Sequence, residues 1–211
     1  MTIEAYANDA VTWVKRASEL SPCVWIAGHS EGGLVALVAA ENHPQNLCGL
    51  ILLATPGRPV GRLLIEQVHA NPANASVVSD VEMIVKELEA GRKSDPKSLP
   101  AALQPLFSEG LQRYMIDLFS YDPAKVATHW TGPVLIVQGT ADIQVKPRDA
   151  DLLVAAMPQG IRKNLNNATH VLKRDVEGQP FATYKDRTLP LHPELTPSIM
   201  HFVKNSRALS Q

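Results

Sequence analysis

A serine stands inside a short glycine-rich segment that could make its hydroxyl reactive. Residues 28–32 read Gly-His-Ser-Glu-Gly and fit the pattern Gly-x-Ser-x-Gly. The apolar run 23–27 precedes this segment, and the helix-like stretch 34–42 follows it. A strand that reverses sharply into a helix strains the serine backbone and projects its hydroxyl above the sheet. We expect Gly28 and Gly32 to remove Cβ atoms that would collide in such a turn.

A reactive serine needs a base that takes its proton and a carboxylate that orients the base. Asp142 comes just after the apolar run 134–137, and His170 comes just after the predicted strand 161–167. Because the carboxyl ends of parallel strands meet at one edge of a sheet, both side chains should share a rim with Ser30. The pattern therefore predicts Ser30 as nucleophile, Asp142 as the orienting acid and His170 as the base.

The other histidines and carboxylates fit these roles less well. His29 neighbours the serine, but the direction of the backbone should carry its ring away, which favours a structural or substrate-lining role. No carboxylate stands just after the second predicted strand. Asp149 and Asp151 are typical of the first turn of a helix, where they favour its dipole. The remaining histidines are interpreted as surface or packing residues: His43, His69, His129, His192 and His201.

The elements that must position these residues follow a strand–helix–strand pattern, which predicts a parallel sheet. Between residues 58 and 129 the strand signal disappears and amphipathic helical stretches replace it. The chain is therefore predicted to have a core of residues 1–57 and 130–211 with an inserted helical cap of residues 58–129. The apolar side chains of the cap could face a substrate or pack the cap itself, and the pattern leaves this open. The remaining core elements are predicted as strands 47–55, 134–137 and 161–167 and helices 149–157 and 194–204.

Composition excludes several classes of function. The chain has 20 lysines and arginines against 21 aspartates and glutamates, a formal net charge of −1. This balance argues against a nucleic-acid partner, because proteins that bind nucleic acids normally carry an excess of basic residues on one face. Two cysteines cannot form a disulfide framework, and no Cys/His spacing resembles a zinc site. We expect no metal and no organic cofactor, and we expect Cys23 and Cys48 to be buried, reduced and inert.

The sequence also carries no signal for a membrane. Its longest apolar runs, residues 34–40 and 47–54, are too short to span a bilayer. Residues 1–10 lack the basic start and apolar centre of a secretory signal. The expected location is cytoplasmic.

These residues resemble the α/β-hydrolase superfamily, in particular its cap-bearing serine ester hydrolases of the esterase or lipase type. The matching pieces are residues 28–33, 49–59, 133–142 and 168–172. The resemblance implies a partial, N-terminally abbreviated α/β-hydrolase fold, with a parallel sheet flanked by helices and a helical cap insertion. It also implies cleavage of carboxylic esters through an acyl-enzyme intermediate, with the backbone N–H of Glu31 as one oxyanion donor.

Two departures from the family pattern carry expectations of their own. Only one helix precedes the strand 23–27, which the family places in the middle of an eight-stranded sheet, so this strand should form a bare apolar edge. We expect a homodimer through that edge, or a complex with a separate N-terminal fragment. No glycine occurs before Gly28, so the loop that usually donates a second oxyanion N–H is not found. The loss of one donor costs about 3 kcal/mol, which predicts modest activity unless a partner or the cap supplies it.

Two classes of function remain after these arguments. The first is a serine hydrolase acting on a small-molecule ester, with thioesters, amides and short peptides open within the same mechanism. The second is a catalytically weak remnant that works as an assembly or binding module. The presence of Ser30, Asp142 and His170 in the expected order favours the enzyme. The physiological substrate, the acyl length and the second oxyanion donor stay open.

Overall fold

The computed structural model describes residues 1–179 and 181–208. Its contacts divide the chain into a helical unit, Met1–Ile3 with Arg58–Asp122, and a strand-bearing unit, Glu4–Gly57 with the described residues from Pro123 onward. The strands are β1 (Val24–His29), β2 (Leu47–Leu53), β3 (Val134–Gly139) and β4 (Ile161–Leu165). The helices are α1 (Ile3–Ser18), α2 (Glu31–Ala40), α3 (Val60–Ala70), α4 (Val78–Glu89), α5 (Glu109–Phe119), α6 (Pro123–Ala127), α7 (Pro147–Ala156), α8 (Ala182–Lys185) and α9 (Leu195–Ala208).

The four strands form one parallel sheet in the order β1-β2-β3-β4. Each strand therefore pairs with the next one along the chain, and β1 and β4 are the edges among the described strands. The parallel sheet predicted from the strand–helix–strand pattern is confirmed. All four strands point their carboxyl ends to one rim, where the predicted site residues follow them.

Helices cover both faces of this sheet. Residues that alternate along β2 and β3, such as Ile51, Leu135 and Val137, form one buried cluster with Leu195 and Phe202 of α9. The residues between them point to the opposite face, since side chains alternate across a strand. The helices α2 and α7 pack against that face. Burial on both faces explains why the central strands have continuous apolar sequences.

The strand β1 is buried less than its neighbours. All six residues of β3 are buried, whereas β1 is buried only at Gly28. The backbone N–H groups of Val24 and Ser30 both donate to β2 or its approach, at 2.8 Å. Backbone groups alternate along a strand, so those of Trp25, Ala27 and His29 point away from β2. Within the described residues no strand pairs with this outer side, as expected of an edge.

The cysteines differ from the expectation. Cys23 and Cys48 stand at the starts of β1 and β2, with their Cα atoms 5.4 Å apart, and they are joined in a disulfide. Both residues are only partly buried. The prediction of buried, reduced thiols is wrong, because the pairing of two adjacent strand starts brings the side chains within bonding reach. Disulfides persist in oxidising compartments, so this bond does not favour the cytoplasmic location, which stays a prediction.

The helical unit has a core of its own. The helices α3, α4 and α5 pack on one another and bury Leu63, Ile84 and Leu118. The side chain of Gln112 is fully buried, where it accepts from the backbone N–H of Ser94 and donates to the carbonyl oxygens of Ser94 and Phe107. In the described part of the chain, no helix combines the length and the apolar character needed to cross a membrane.

Candidate active site

The turn that carries Ser30 joins β1 directly to α2. Its backbone has φ 55° and ψ −124°, a conformation that costs a residue with a side chain about 1–3 kcal/mol. The N–H of Ser30 still donates to the carbonyl oxygen of Leu53 in β2, and its carbonyl oxygen already accepts from Gly33 at 2.9 Å. The strand pairing and the first helical turn therefore meet at this residue. The strained strand-to-helix turn predicted from the sequence is confirmed.

Two glycines make this turn sterically possible. A Cβ atom on Gly28 would lie 2.2 Å from the carbonyl oxygen of Gly32, and one on Gly33 would lie 2.0 Å from Oγ1 of the buried Thr55. A Cβ atom on Gly32 would meet nothing within 4 Å. The expectation for Gly28 is confirmed, whereas that for Gly32 is wrong, because Gly32 faces open space at the start of α2. The close approach is made instead by Gly33.

The structure brings Ser30, His170 and Asp142 together. His170 Nε2 lies 3.0 Å from the Ser30 hydroxyl oxygen, and His170 Nδ1 lies 2.9 Å from Asp142 Oδ2. Both His170 and Asp142 are buried, at 6% and 3% exposure, while Ser30 is partly exposed. An ionised carboxylate only accepts, so Nδ1 carries the proton and Nε2 of the neutral ring is left to accept from the serine hydroxyl. This is the tautomer that a base next to a serine requires.

The Asp142 carboxylate is held by four donors. Oδ1 accepts from the backbone N–H groups of Gln144 and Val145 at 2.8 and 3.0 Å. Oδ2 accepts from His170 and, at 3.3 Å, from the side-chain amide of Gln138. The same buried amide donates to the carbonyl oxygens of Gly139 and Val145, so it ties together the loop that follows β3. Gln138 was not among the predicted site residues, although a polar residue near the end of an otherwise apolar strand was a signal for it.

The loop that carries His170 has an unusual backbone held by distant contacts. Asn167 and Leu172 both adopt positive φ values, 57° and 58°. The buried ring of His192 donates through Nε2 to the carbonyl oxygen of Asn166 at 3.1 Å. The backbone N–H of His192 donates to the carbonyl oxygen of Leu172 at 2.7 Å. His192 thus holds both ends of the loop through hydrogen bonds, which its interpretation as a surface or packing residue did not include.

A tyrosine stands close to this network. Tyr184 of α8 lies near Asp142 and the backbone of His170, and burial raises the pKa of its phenol above the ordinary value. The negative charge of Asp142 adds to the increase in pKa. The phenol is therefore neutral over the range in which a histidine base works. The helix α8, which carries this tyrosine, was not predicted from the sequence.

The ring of His29 lies against His170, contrary to the expectation. Its Nε2 is 2.7 Å from the carbonyl oxygen of His170, and the two ring centroids are 4.9 Å apart. The prediction that the backbone carries this ring away is wrong, because the loop after β4 folds back over the end of β1.

The remaining histidines have other partners, in keeping with their interpretation as surface or packing residues. Exposed rings of His69 and His129 bond to Glu82 and Glu41. His43 stacks on Trp130, and His201 bonds to Asn205 within α9.

The acidic residues at the start of α7 lie outside the network, as their interpretation as helix acids predicts. Asp149 is buried and accepts from the backbone N–H groups of Lys146 and Gly57. Asp151 pairs with Arg162.

Glu31 is the first residue of α2, so its backbone N–H belongs to the first helical turn beside Ser30. Among the described residues, no group of three or more His, Cys, Asp or Glu side chains could hold a metal ion.

A groove of about 580 Å³ lies between β4 and α9, with Ile161, Pro197 and Phe202 in its lining. Its lining includes none of Ser30, Asp142 and His170. Two of its charged side chains, Lys163 and Glu194, pair with each other. The groove is therefore separate from the hydrogen-bonded network.

Comparison with known proteins supports one fold. No family model matches the chain. The esterase EstD of Thermotoga maritima is 29% identical over 146 residues, which are 69% of this chain and 33% of EstD. The chain thus spans about a third of the length of this curated relative.

Solved structures match over nearly the whole chain at low identity. Est1E of Butyrivibrio proteoclasticus has a TM-score of 0.61 at 17% identity, over 99% of this chain and 72% of its own. A thermophilic esterase of Thermogutta terrifontis has a TM-score of 0.57 at 20% identity, over 98% and 73%. A putative non-heme bromoperoxidase, BpoC of Mycobacterium tuberculosis, has a TM-score of 0.58 at 15% identity, over 98% and 75%. With its parallel sheet and helices on both faces, the chain has the α/β-hydrolase fold.

Proposed function

We propose that this chain is a serine hydrolase that cleaves carboxylic esters through an acyl-enzyme intermediate. The observation that carries the proposal is the unbroken line of hydrogen bonds from Ser30 through His170 to Asp142. The three side chains come from three separate loops at the carboxyl ends of parallel strands. A serine, an imidazole and a buried carboxylate in this order form the arrangement that acyl transfer needs.

The first half of the reaction forms the acyl-enzyme. The Ser30 oxygen attacks the ester carbonyl carbon while its proton moves to His170 Nε2, and the carbonyl electron pair moves onto the oxygen. The N–H of Glu31 donates to that oxyanion in our proposal. As the carbonyl re-forms, the bond between carbon and the alcohol oxygen breaks. The departing oxygen takes the proton from Nε2, so the alcohol leaves neutral.

The second half returns the enzyme to its starting state. Water attacks the acyl carbon as His170 Nε2 takes its proton, and the bond to the Ser30 oxygen then breaks. The serine recovers its proton and the carboxylic acid is released. Throughout both halves Asp142 keeps the Nδ1 proton in place and stabilises the imidazolium, which needs a buried and firmly held carboxylate. The two backbone donors to Oδ1 hold the carboxylate in this orientation.

The names of similar proteins support the choice of an ester. EstD and the Thermogutta terrifontis protein are each called an esterase. We propose a small-molecule ester as substrate and the helical residues 58–129 as the cap that selects it. The helical unit buries its own apolar side chains, which an inserted cap with a core of its own would do.

Covalent labelling and ester turnover test this function together. The wild-type chain and Ser30→Ala are treated with a fluorophosphonate and assayed on short p-nitrophenyl esters. We expect labelling and turnover in the wild type and neither in Ser30→Ala, because the attacking oxygen is gone. Asp142→Asn should lose about 10⁴-fold in kcat, since an amide favours the wrong imidazole tautomer.

The control is Ser18→Ala, which removes a serine hydroxyl that bonds only within the turn at the end of α1. It should keep wild-type labelling and turnover. Folded wild-type protein that is neither labelled nor active would exclude the proposed hydrolase. Labelling that persists in Ser30→Ala would exclude this serine as nucleophile.

We also propose that the chain forms a homodimer through the outer edge of β1. The outward backbone groups of Trp25, Ala27 and His29 can pair with a second copy of the same strand. No charged residue occurs in β1. The opposite edge strand, β4, carries Arg162 and Lys163, and such charges disfavour pairing with another chain. The uncharged edge is therefore the one suited to pairing.

Light scattering at micromolar concentration tests the dimer. The wild type should have twice the chain mass of 23.0 kDa, and Ala27→Lys should be monomeric because a charge on the edge opposes strand pairing. Ile161→Lys places the same charge on the exposed start of β4 and should leave the dimer intact. A wild-type monomer, or a dimer that survives Ala27→Lys, would contradict the proposal.

A further inference from the structure

We propose that His29 is a positioning residue for His170: its Nε2–H holds the backbone carbonyl of the residue whose ring takes the serine proton. The two atoms are 2.7 Å apart, at the short end of the range for N–H···O hydrogen bonds. A carbonyl oxygen can only accept, so Nε2 of His29 must carry the hydrogen. This role rests on the proposed hydrolase function and adds a positioning residue behind His170.

Through this contact two neighbouring residues, His29 and Ser30, both form hydrogen bonds with His170. Ser30 bonds to the ring of His170 at 3.0 Å, and His29, one position earlier, bonds to the backbone of His170 at 2.7 Å. Asp142 holds the other side of the ring. The base is therefore restrained at both its ring and its main chain, and both restraints arise at the end of β1.

The loop needs such a restraint because its own backbone is strained. Positive φ values at Asn167 and Leu172 cost energy that surrounding contacts must offset. His192 holds the two ends of this loop through the carbonyl oxygens of Asn166 and Leu172. The contact from His29 reaches the middle, at the residue that must stay within bonding distance of the serine. A movement of about 1 Å at a reacting group can cost about a hundredfold in rate.

The ring contact and the hydrogen bond can be separated by substitution. His29→Gln keeps an N–H donor near the position of Nε2 but removes the ring. His29→Phe keeps a ring against His170, whose centroid lies 4.9 Å away, but removes the donor. The control is His129→Phe, which replaces an exposed histidine that bonds to Glu41.

Steady-state kinetics on a short p-nitrophenyl ester is the first readout. We expect His29→Phe to lower kcat about 10-fold to 100-fold with KM nearly unchanged, because the base is misplaced while the binding surface is kept. His29→Gln should stay within about threefold of wild-type kcat, as hydrogen-bond rescue requires. His129→Phe should match the wild type. A general loss of folding would not give this division between the two variants.

Proton NMR is a readout that does not depend on turnover. The Nδ1 proton of His170, bonded to Asp142, should give a downfield resonance in the wild type and in His29→Gln. In His29→Phe it should broaden, because a loosened ring exchanges this proton faster. Thermal denaturation of each variant shows whether it is folded. If His29→Phe unfolds, His29→Asn replaces it, because the shorter side chain does not place a donor at the Nε2 position.

Each outcome decides between the alternatives. Wild-type kcat and an unchanged resonance in the donor-free variant would overturn the role of His29 while leaving Ser30 as nucleophile. Equal losses in His29→Gln and His29→Phe would assign the effect to the ring and also overturn it. If the wild type itself is neither labelled nor active, the proposed function fails, and the resonance alone decides whether His29 holds His170.

Discussion

Ser30 and the two side chains in line with it, His170 and Asp142, are positioned by different means. Ser30 is placed by backbone geometry: a strand ends, a helix begins, and two glycines let the chain pass close to its neighbours. Asp142 and His170 lie on longer loops that are held by side chains, chiefly the amide of Gln138 and the rings of His29 and His192. The first kind of support comes from packed backbone, whereas the second comes from side-chain hydrogen bonds that join residues between 4 and 141 positions apart.

This difference decides what a substitution should do. A turn built from packed backbone has no room to yield, so an added methyl group there should cost much of the stability of the unit. A loop held by several hydrogen bonds loses them one at a time, so each substitution should cost less. The contrast can be tested by comparing substitutions in the two regions.

The largest effect is expected at the turn. Gly28→Ala would bring a Cβ atom to 2.2 Å from a backbone carbonyl oxygen, and the backbone must shift to relieve it. We expect a loss of about 3 kcal/mol in the free energy of unfolding, measured by urea denaturation. Gly32→Ala is the matched control, since its Cβ meets open space in a helix, and it should gain up to about 1 kcal/mol. Similar losses in both variants would show that steric room does not shape this turn.

A smaller effect is expected in the loop after β3. Gln138→Met keeps the approximate shape of the side chain but removes its donation to Asp142 and to two buried carbonyl oxygens. We expect a loss of about 2 kcal/mol in the free energy of unfolding, because buried acceptors are left unpaired. Gln159→Met removes donations to Trp130 and Gly132 nearer the surface and should cost less than about 1 kcal/mol. A loss at Gln138 as large as that at Gly28 would remove the contrast between the regions.

The smallest effect is a change in the alkaline pH dependence of stability. Burial raises the pKa of Tyr184 in the folded chain above the value of about 10 in the unfolded chain. Above this pH the unfolded chain releases the proton first, so the free energy of unfolding falls as pH rises until the folded-state pKa is passed. Tyr184→Phe should therefore show a shallower decline between neutral pH and the alkaline range. Parallel curves for the two proteins, measured by urea denaturation at each pH, would contradict the raised pKa.

Much of the fold could be predicted from local patterns. The apolar runs of strand length are followed by glycine or proline and then by a helical stretch. Such runs are typical of strands that are buried on both faces, so this order indicates a parallel sheet. The strand starts at residues 24, 47, 134 and 161 lie at or next to the predicted ones. The short helix α8 was not predicted, since four residues carry no usable periodicity.

The candidate site divides in the same way. Ser30, Asp142 and His170 could be selected from the sequence because each follows a strand, and parallel strands end at one rim. The role of Gly32 and the direction of the His29 ring were predicted wrongly, because both depend on which neighbour the folded chain brings to them. Gly33 meets Thr55, and His29 meets a residue 141 positions away.

The sequence by itself determined the element types and the residues that can do chemistry, since periodicity and the strand–glycine–helix pattern are properties of neighbouring positions. Only the tertiary structure decided that Cys23 bonds to Cys48 and that the ring of His29 reaches the backbone of His170. The physical reason is one of range. Dihedral preferences and side-chain alternation act over a few residues, whereas bonds between loops depend on where the whole chain places them.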